Sequence, residues 1–306
     1  MSNKLVRFKC KVCFKTFTLR KINNKHRYFK FFRTWVSSGV PLNALRVPGI
    51  SERTLTRNFH RYLDTPTVLP KLVVPREINL KCDGKYFGRT GCTLVFKENK
   101  NIIFWQFFDR ENYHNYIYCF SRLIEMGYIV KSITSDKHGS VVGAVKTMFP
   151  GTPHQYCLVH IQRRRQTLLT QKPETISGLS LLEIVRFVNK IKTESDKKIF
   201  INWFHRYEDR FGNILKQRTY GTKDNGQTWW YTHKNQRLAF NTLKSSLNNM
   251  FFYLEDNNIP KDTNGLEAEF THLKTKLNMH RGLSKCRREN YVYWYWFLKS
   301  IYVNRS

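Results

Sequence analysis

The sequence predicts an α/β fold, and three observations predict it. First, Ile78 to Phe108 holds three short runs with strand-like alternation, joined by tight turns at Gly88 to Gly91 and Glu98 to Asn101. Second, a helical run from Glu111 to Met126 ends at Gly127, in the position after a helix where glycine takes a left-handed backbone. Third, a β-rich run, Tyr128 to Thr134, is followed by an amphipathic segment with Val141, Val142, Val145 and Met148 at helical spacing. Pro150-Gly151 breaks that segment, and a further short run leads into Cys157.

The resulting order, β-β-β-α-β-α-β-α, is that of a ribonuclease-H-like fold. It places the first and fourth strands side by side. Asp83 lies in the middle of the first strand and Asp136 directly after the fourth. Ligands and metals gather at the carboxyl ends of strands in open α/β sheets. Asp136 alone reads equally as an N-cap for the helix that follows. With Asp83 beside it, the pair reads as a site for Mg²⁺ (or Mn²⁺).

From the N-terminus, residues 1–27 hold Cys10 and Cys13 between aromatic and basic residues. Two thiolates at this spacing grip one face of a Zn²⁺ ion, while a structural site wants four ligands. The stretch reads as a zinc-ribbon remnant. Either His26 and another group complete a site, or no metal binds.

Residues 28–64 read as a helix-turn-helix region. Phe29, Phe32, Trp35 and Val36 share a face, Gly39-Val-Pro41 breaks the helix, and Leu42 to Val47 makes a short second piece. Ser51 then caps Glu52 to Leu63, with Leu55, Phe59 and Leu63 inward and Arg53, Arg57 and Arg61 outward. An ordinary helical bundle with a solvated basic face is the plainer reading. Residues 65–76, spaced by prolines, read as a linker. The core follows over 77–162, an all-α insertion over 163–255, and the last part of the core over 256–306.

Charge narrows the partner. Lys and Arg number 53 against 22 Asp and Glu, a formal net charge of +31 spread along the whole chain. Such a surplus calls for a polyanion; nucleic acid fits best, with an anionic membrane surface as the runner-up. No apolar run reaches the length of a membrane span, so no membrane partner is expected, and the first residues lack the apolar core of a signal peptide. Seven cysteines without dense spacing suit a reducing compartment. The expected location is the cytoplasm.

Three separated motifs then sharpen the reading. Asp83-Gly84 comes first, and Ser135-Asp136 second. The latter is followed by Phe149-Pro150-Gly151-Thr152-Pro153-His154-Gln155-Tyr156-Cys157-Leu158-Val159-His160. Thr263-Asn264-Gly265-Leu266-Glu267 comes third, with Phe270, Leu273, Lys274 and Arg281-Gly282 after it. In this order they resemble the Mutator-like DDE transposases and their bacterial insertion-sequence relatives, over about residues 77 to 285.

The resemblance implies a catalytic triad of Asp83, Asp136 and Glu267 holding two Mg²⁺ or Mn²⁺ ions. It also implies cleavage of 3′ ends at terminal inverted repeats, transfer to target DNA, and a homo-oligomer that holds two ends. Glu269 is the weaker third acid, because two residues along a helix turn it about 200° away. A DNA-binding derivative that does not cut, and a nuclease of the same fold, remain open. Cys157 and His160 read as structural support beside the site, with a metal pair or a nucleophilic pair as the other options. Lys274, Lys276, His280 and Arg281 are expected near phosphates. Trp229-Trp230-Tyr231 reads either as a stacking surface for a base or as a core cluster of the insertion.

Overall fold

The structure, a computed structural model, describes residues 7–18, 24–65, 69, 72, 74–222, 224 and 226–303. The side chain of His26 and half of the linker, Pro66 to Val68, Pro70, Lys71 and Val73, lie outside the described residues. The chain forms two compact units, Met1–Thr67 with Leu273–Leu298, and Val68–His272 with Lys299–Ser306.

In the first unit, β1 (Arg7–Lys9) and β2 (Thr16–Thr18) pair antiparallel around the turn that carries Cys10 and Cys13. Helix α1 (Asn24–Ser38) ends at Gly39, whose φ of +71° suits glycine. A Cβ there would also sit 2.5 Å from the side chain of Lys276. The expected second helical piece is a single 3₁₀ turn, Leu42–Ala44. Ser51 accepts the Thr54 N–H at 3.3 Å and starts α2 (Glu52–Leu63), which buries Leu55, Phe59 and Leu63 as its spacing requires. These pack into an aromatic cluster with Phe32 at its centre. Rings of Phe59, Tyr62 and Trp294 lie 5.7, 5.0 and 5.2 Å from it.

The second unit is built on a five-stranded mixed sheet. Its strands are β3 (Arg76–Tyr86), β4 (Cys92–Glu98), β5 (Asn101–Phe108), β6 (Tyr128–Ser135) and β7 (His154–Tyr156). Their order across the sheet is β5-β4-β3-β6-β7. The first three form an antiparallel meander, while β6 runs parallel to both β3 and β7. Helices α3 (Tyr113–Glu125) and α4 (Gly139–Met148) connect the parallel strands and bury Tyr116, Cys119, Phe120, Leu123, Val141 and Val145 against the sheet. Gly127 takes φ +97° after α3. On α3, Ile124 is exposed and Cys119 is buried. The neighbouring stripe with the larger rings faces the sheet.

A second core belongs to the helices that follow. They are α5 (Leu158–Leu169), α6 (Ile176–Phe187), α7 (Glu194–Phe211), α8 (Lys234–Lys244) and the short α9 (Phe252–Glu255). The expectation of an all-α insertion needs correction here. Strands β8 (Arg218–Tyr220) and β9 (Trp229–Tyr231) form an antiparallel hairpin inside it. Tyr, Trp and Thr favour a pleated surface, and a polar turn joins the two runs.

On α7, Ile199 and Trp203 are exposed, whereas Phe200, Phe204 and Tyr207 are buried. Two adjacent stripes at i, i+4 spacing compete for the core. The one with two Phe rings wins because Phe204 stacks on Phe240 at 4.8 Å. The chain ends in α10 (Asn264–Asn278) and α11 (Lys285–Val303). Among the described residues no helix is long and apolar enough to cross a membrane.

Candidate functional site

The parallel register of β3 with β6 ends at Lys81 opposite Thr134. Two residues further on stand Asp83 and Asp136, so the register itself brings them level at the same end of the sheet. Asp83 Oδ1 accepts the Gly84 N–H at 2.9 Å. Burial pushes the Asp83 carboxyl up to about 7; His160 opposes that shift, and Asp136 adds to it. Asp136 Oδ1 accepts the His138 N–H at 3.1 Å, so it closes the turn after β6. The N-cap place of α4 falls to His138, which makes no side-chain cap.

Glu267 lies in the first turn of α10. Its Oε1 is 3.0 Å from His160 Nε2, and Arg163 Nη1 reaches both carboxylate oxygens at 2.9 and 3.0 Å. His160 also acts electrostatically on Asp83. One imidazole therefore pairs with the helix acid and is close enough to the strand acid to act on its charge. Glu269 turns away as the helical period requires and pairs with Lys299 at 3.1 Å.

Cys157 explains how α10 is seated. Its Sγ accepts the backbone N–H and the hydroxyl of Thr263, both at 3.4 Å, and its thiol is pushed up by burial. The Cys157 N–H donates to Ser135 O at 2.7 Å, and the Leu158 N–H to Lys261 O at 3.1 Å. Cys157 thus ties the end of β6 to the residue before α10, and His160 one turn later meets Glu267.

The sequence reading missed Glu111. Its Oε1 accepts the Tyr116 hydroxyl at 2.8 Å and lies 3.5 Å from His138 Nδ1. Its carboxyl is pushed up by burial, with Asp136 adding to the shift. A Cβ on Gly84 would meet Glu111 Oε2 at 2.8 Å, so glycine after Asp83 makes room for this acid. Glu111 stood at the expected start of a helix, where an acid has an ordinary role; only the meander brings it back to β3.

Among the described residues no group of three or more His, Cys, Asp or Glu stands ready as a metal cage. Cys10 and Cys13 supply two donors, and the Cys10 thiol is held below its ordinary range chiefly by the Cys13 backbone. Arg53, Arg57 and Arg61 project from the exposed face of α2. Lys274 and Arg281 are exposed as well. Lys276 and His280 depart from expectation. The Lys276 ammonium donates to Ser37 O. His280 is buried against Trp35 at 4.5 Å and Tyr291 at 5.0 Å, its imidazole pushed down to about 4 by burial. Arg218 covers the ring of Trp229 at 4.1 Å and Arg237 that of Tyr231 at 4.0 Å, so guanidinium groups already lie over these two rings.

The model of the family described as Transposase, Mutator family, matches residues 93–248, just over half of the chain. The chain belongs to the Mutator family of transposases. The match includes Asp136, Cys157 and His160, and leaves Asp83 and Glu267 outside it. Comparison with curated proteins gives no match. A transposase of this family works on DNA, in keeping with the net charge of +31.

Proposed function

We propose that this transposase cuts and joins DNA by DDE chemistry, with Asp83, Asp136 and Glu267 as its acids on a ribonuclease-H-like sheet. The observation that carries the reading is the register that sets Asp83 on β3 level with Asp136 directly after its parallel neighbour β6, with the Asp83 carboxyl pushed up to about 7. Carboxylates crowded in this way fit hard divalent cations, which take oxygen donors. Asp83 and Asp136 would hold Mg²⁺ or Mn²⁺, and Glu267 would join them on release from Arg163. When bound, such ions supply Lewis-acid activation of the attacking and leaving oxygens.

The chain's own residues do the rest. Cys157 and the turn at Ser135 fix the start of α10, so Glu267 approaches the strand acids from a set direction. His160 orients Glu267 and faces Asp83. Gly84 leaves room for Glu111, which braces His138 beside Asp136. In the first unit, α2 acts as a recognition helix that offers Arg53, Arg57 and Arg61 to DNA, in a helix-turn-helix shortened to one 3₁₀ turn between its helices.

The test uses the full chain, a labelled duplex carrying the sequence that flanks its coding region, and Mg²⁺ or Mn²⁺. The expected result is a nick at the element end, followed by joining of that end to a second duplex. Binding without any metal-dependent nick would reduce the protein to a DNA binder. Nicking without joining would make it a nuclease.

A further inference from the structure

A recess of about 250 Å³ opens at the turn after β6 and along α5, lined by Asp136, Lys137, Arg164, Arg165 and Thr167 among others. Its cations are held in an unusual way. Arg165 is only 3% exposed. It donates to Ile161 O at 3.2 Å, Thr242 O at 2.8 Å and Ser246 Oγ at 3.3 Å, while its Nε donates to nothing among the described residues. Lys137 Nζ donates to Ser245 Oγ at 2.6 Å, Ser246 Oγ at 3.1 Å and Thr242 O at 3.3 Å.

Every one of these acceptors is neutral. Among the described residues no carboxylate lies within 4.0 Å of Lys137 or Arg165. Neutral oxygens satisfy the N–H groups and leave the charge uncompensated, which is costly below the surface. Burial, and then Arg164, lowers Arg165 to about 10. The nearest strong acid on α10, Glu267, is already engaged by Arg163. Three cations thus converge on an enclosed, solvent-reachable space and lack an anion.

We propose that Lys137, Arg164 and Arg165 bind a backbone phosphate of the DNA strand that passes Asp136. The inference rests on reading the neighbouring site as one that handles DNA, and it is independent of whether that site cuts. The serine hydroxyls and neutral carbonyls hold the two deeper cations in place in advance, so little side-chain ordering is needed on binding. Arg164, exposed at the rim, closes on the same phosphate.

The test is the salt dependence of binding, measured by fluorescence anisotropy with the full chain and a fluorescein-labelled random-sequence duplex in EDTA. Each phosphate contact contributes about 0.9 to the slope of log K against log salt. The Lys137→Gln, Arg164→Gln double variant should bind more weakly with a slope shallower by about 0.9. Should the double variant melt early, Arg164→Gln alone, at an exposed position, should weaken binding and make the slope shallower in the same direction, by less than about 0.9. A wild-type slope in a folded variant overturns the proposal. Asp136→Asn separates the two readings, because it should keep the slope while abolishing nicking. A wild-type chain that never nicks, paired with a shallower slope in the double variant, upholds the phosphate site and removes the DDE reading instead.

Discussion

Two neighbouring groups of side chains differ in one respect and meet at a single peptide bond. Asp83, Glu111 and Asp136 are carboxylates without a Lys or Arg within 4.0 Å among the described residues. Lys137, Arg164 and Arg165, beginning at the very next residue, are cations without a carboxylate. Each group is destabilised by its own charge: burial raises the Asp83 and Glu111 carboxyls and lowers Lys137 and Arg165. Pairing these residues with one another would have relieved both. That they are kept apart argues for partners from outside, a cation for the first group and a phosphate for the second. Perturbed groups of this kind collect at functional sites.

The sharpest way to break the comparison is Asp136→Asn. It removes one carboxylate from the first group and leaves the second intact. A metal-assisted step draws several kcal/mol from its ions, so nicking should fall by about 10³-fold or more. Affinity for duplex DNA should hold. Gel assays of nicking beside anisotropy on the same preparation read both. Equal loss of cutting and binding would mean that the two groups act as one.

Next in size is the response to pH without divalent cations. The Asp83 carboxyl titrates near 3.8 unfolded and at about 7 folded. The folded state therefore keeps its proton across that window while the unfolded chain loses it. Stability should fall as pH rises from about 4 to about 7, by up to about 4 kcal/mol. Asp83→Asn should flatten that fall, melting higher than wild type at pH above 7 and much like it at low pH. Millimolar Mg²⁺ should raise the wild-type melting temperature at high pH and leave the variant unmoved. An unchanged pH profile in the variant would show that Asp83 is not the strained group.

Much of this was legible in the residues. Alternation, tight turns and Gly127 located the meander, α3 and the strand that leads to Asp136, because these are local patterns. The three separated motifs named Asp83, Asp136 and Glu267. Glu111 and Arg165 were not legible, since each acquires its role from chain distant in sequence: Gly84 for the first, Thr242 and Ser246 for the second. In a run such as Arg163-Arg164-Arg165, nothing local says that one faces Glu267, one solvent and one the interior. The inward stripe of α7 is hidden for a similar reason. Ile199 and Trp203 sit at the same spacing as Phe200 and Phe204, and only Phe240 decides between them.

Smaller in size is the effect of Arg165→Met. A buried cation with neutral partners contributes little net stability, and a long apolar side chain fills similar volume. The variant should melt at or slightly above the wild-type temperature, within about 1 to 2 kcal/mol, while binding DNA more weakly. Calorimetry and anisotropy would show stability and affinity moving in opposite directions. A large loss of stability would mean that the hydrogen bonds to Thr242 and Ser246 hold α5 to α8, and that Arg165 is a structural tie.

The finest test concerns Glu111. Tyr116 is fully buried and donates to Glu111 Oε1 at 2.8 Å. Tyr116→Phe removes that bond with little change in volume and leaves the carboxylate with His138 at 3.5 Å. Stability should drop by about 1.5 kcal/mol, the ordinary cost of a hydrogen bond to a charged group. Nicking should fall less than tenfold, because Asp83 and Asp136 are untouched. The split between the two readouts is what informs. A loss of nicking that added Mg²⁺ reverses would mean that Glu111 helps to hold the cation, whereas a loss indifferent to Mg²⁺ would mean that it acts by fixing His138 beside Asp136.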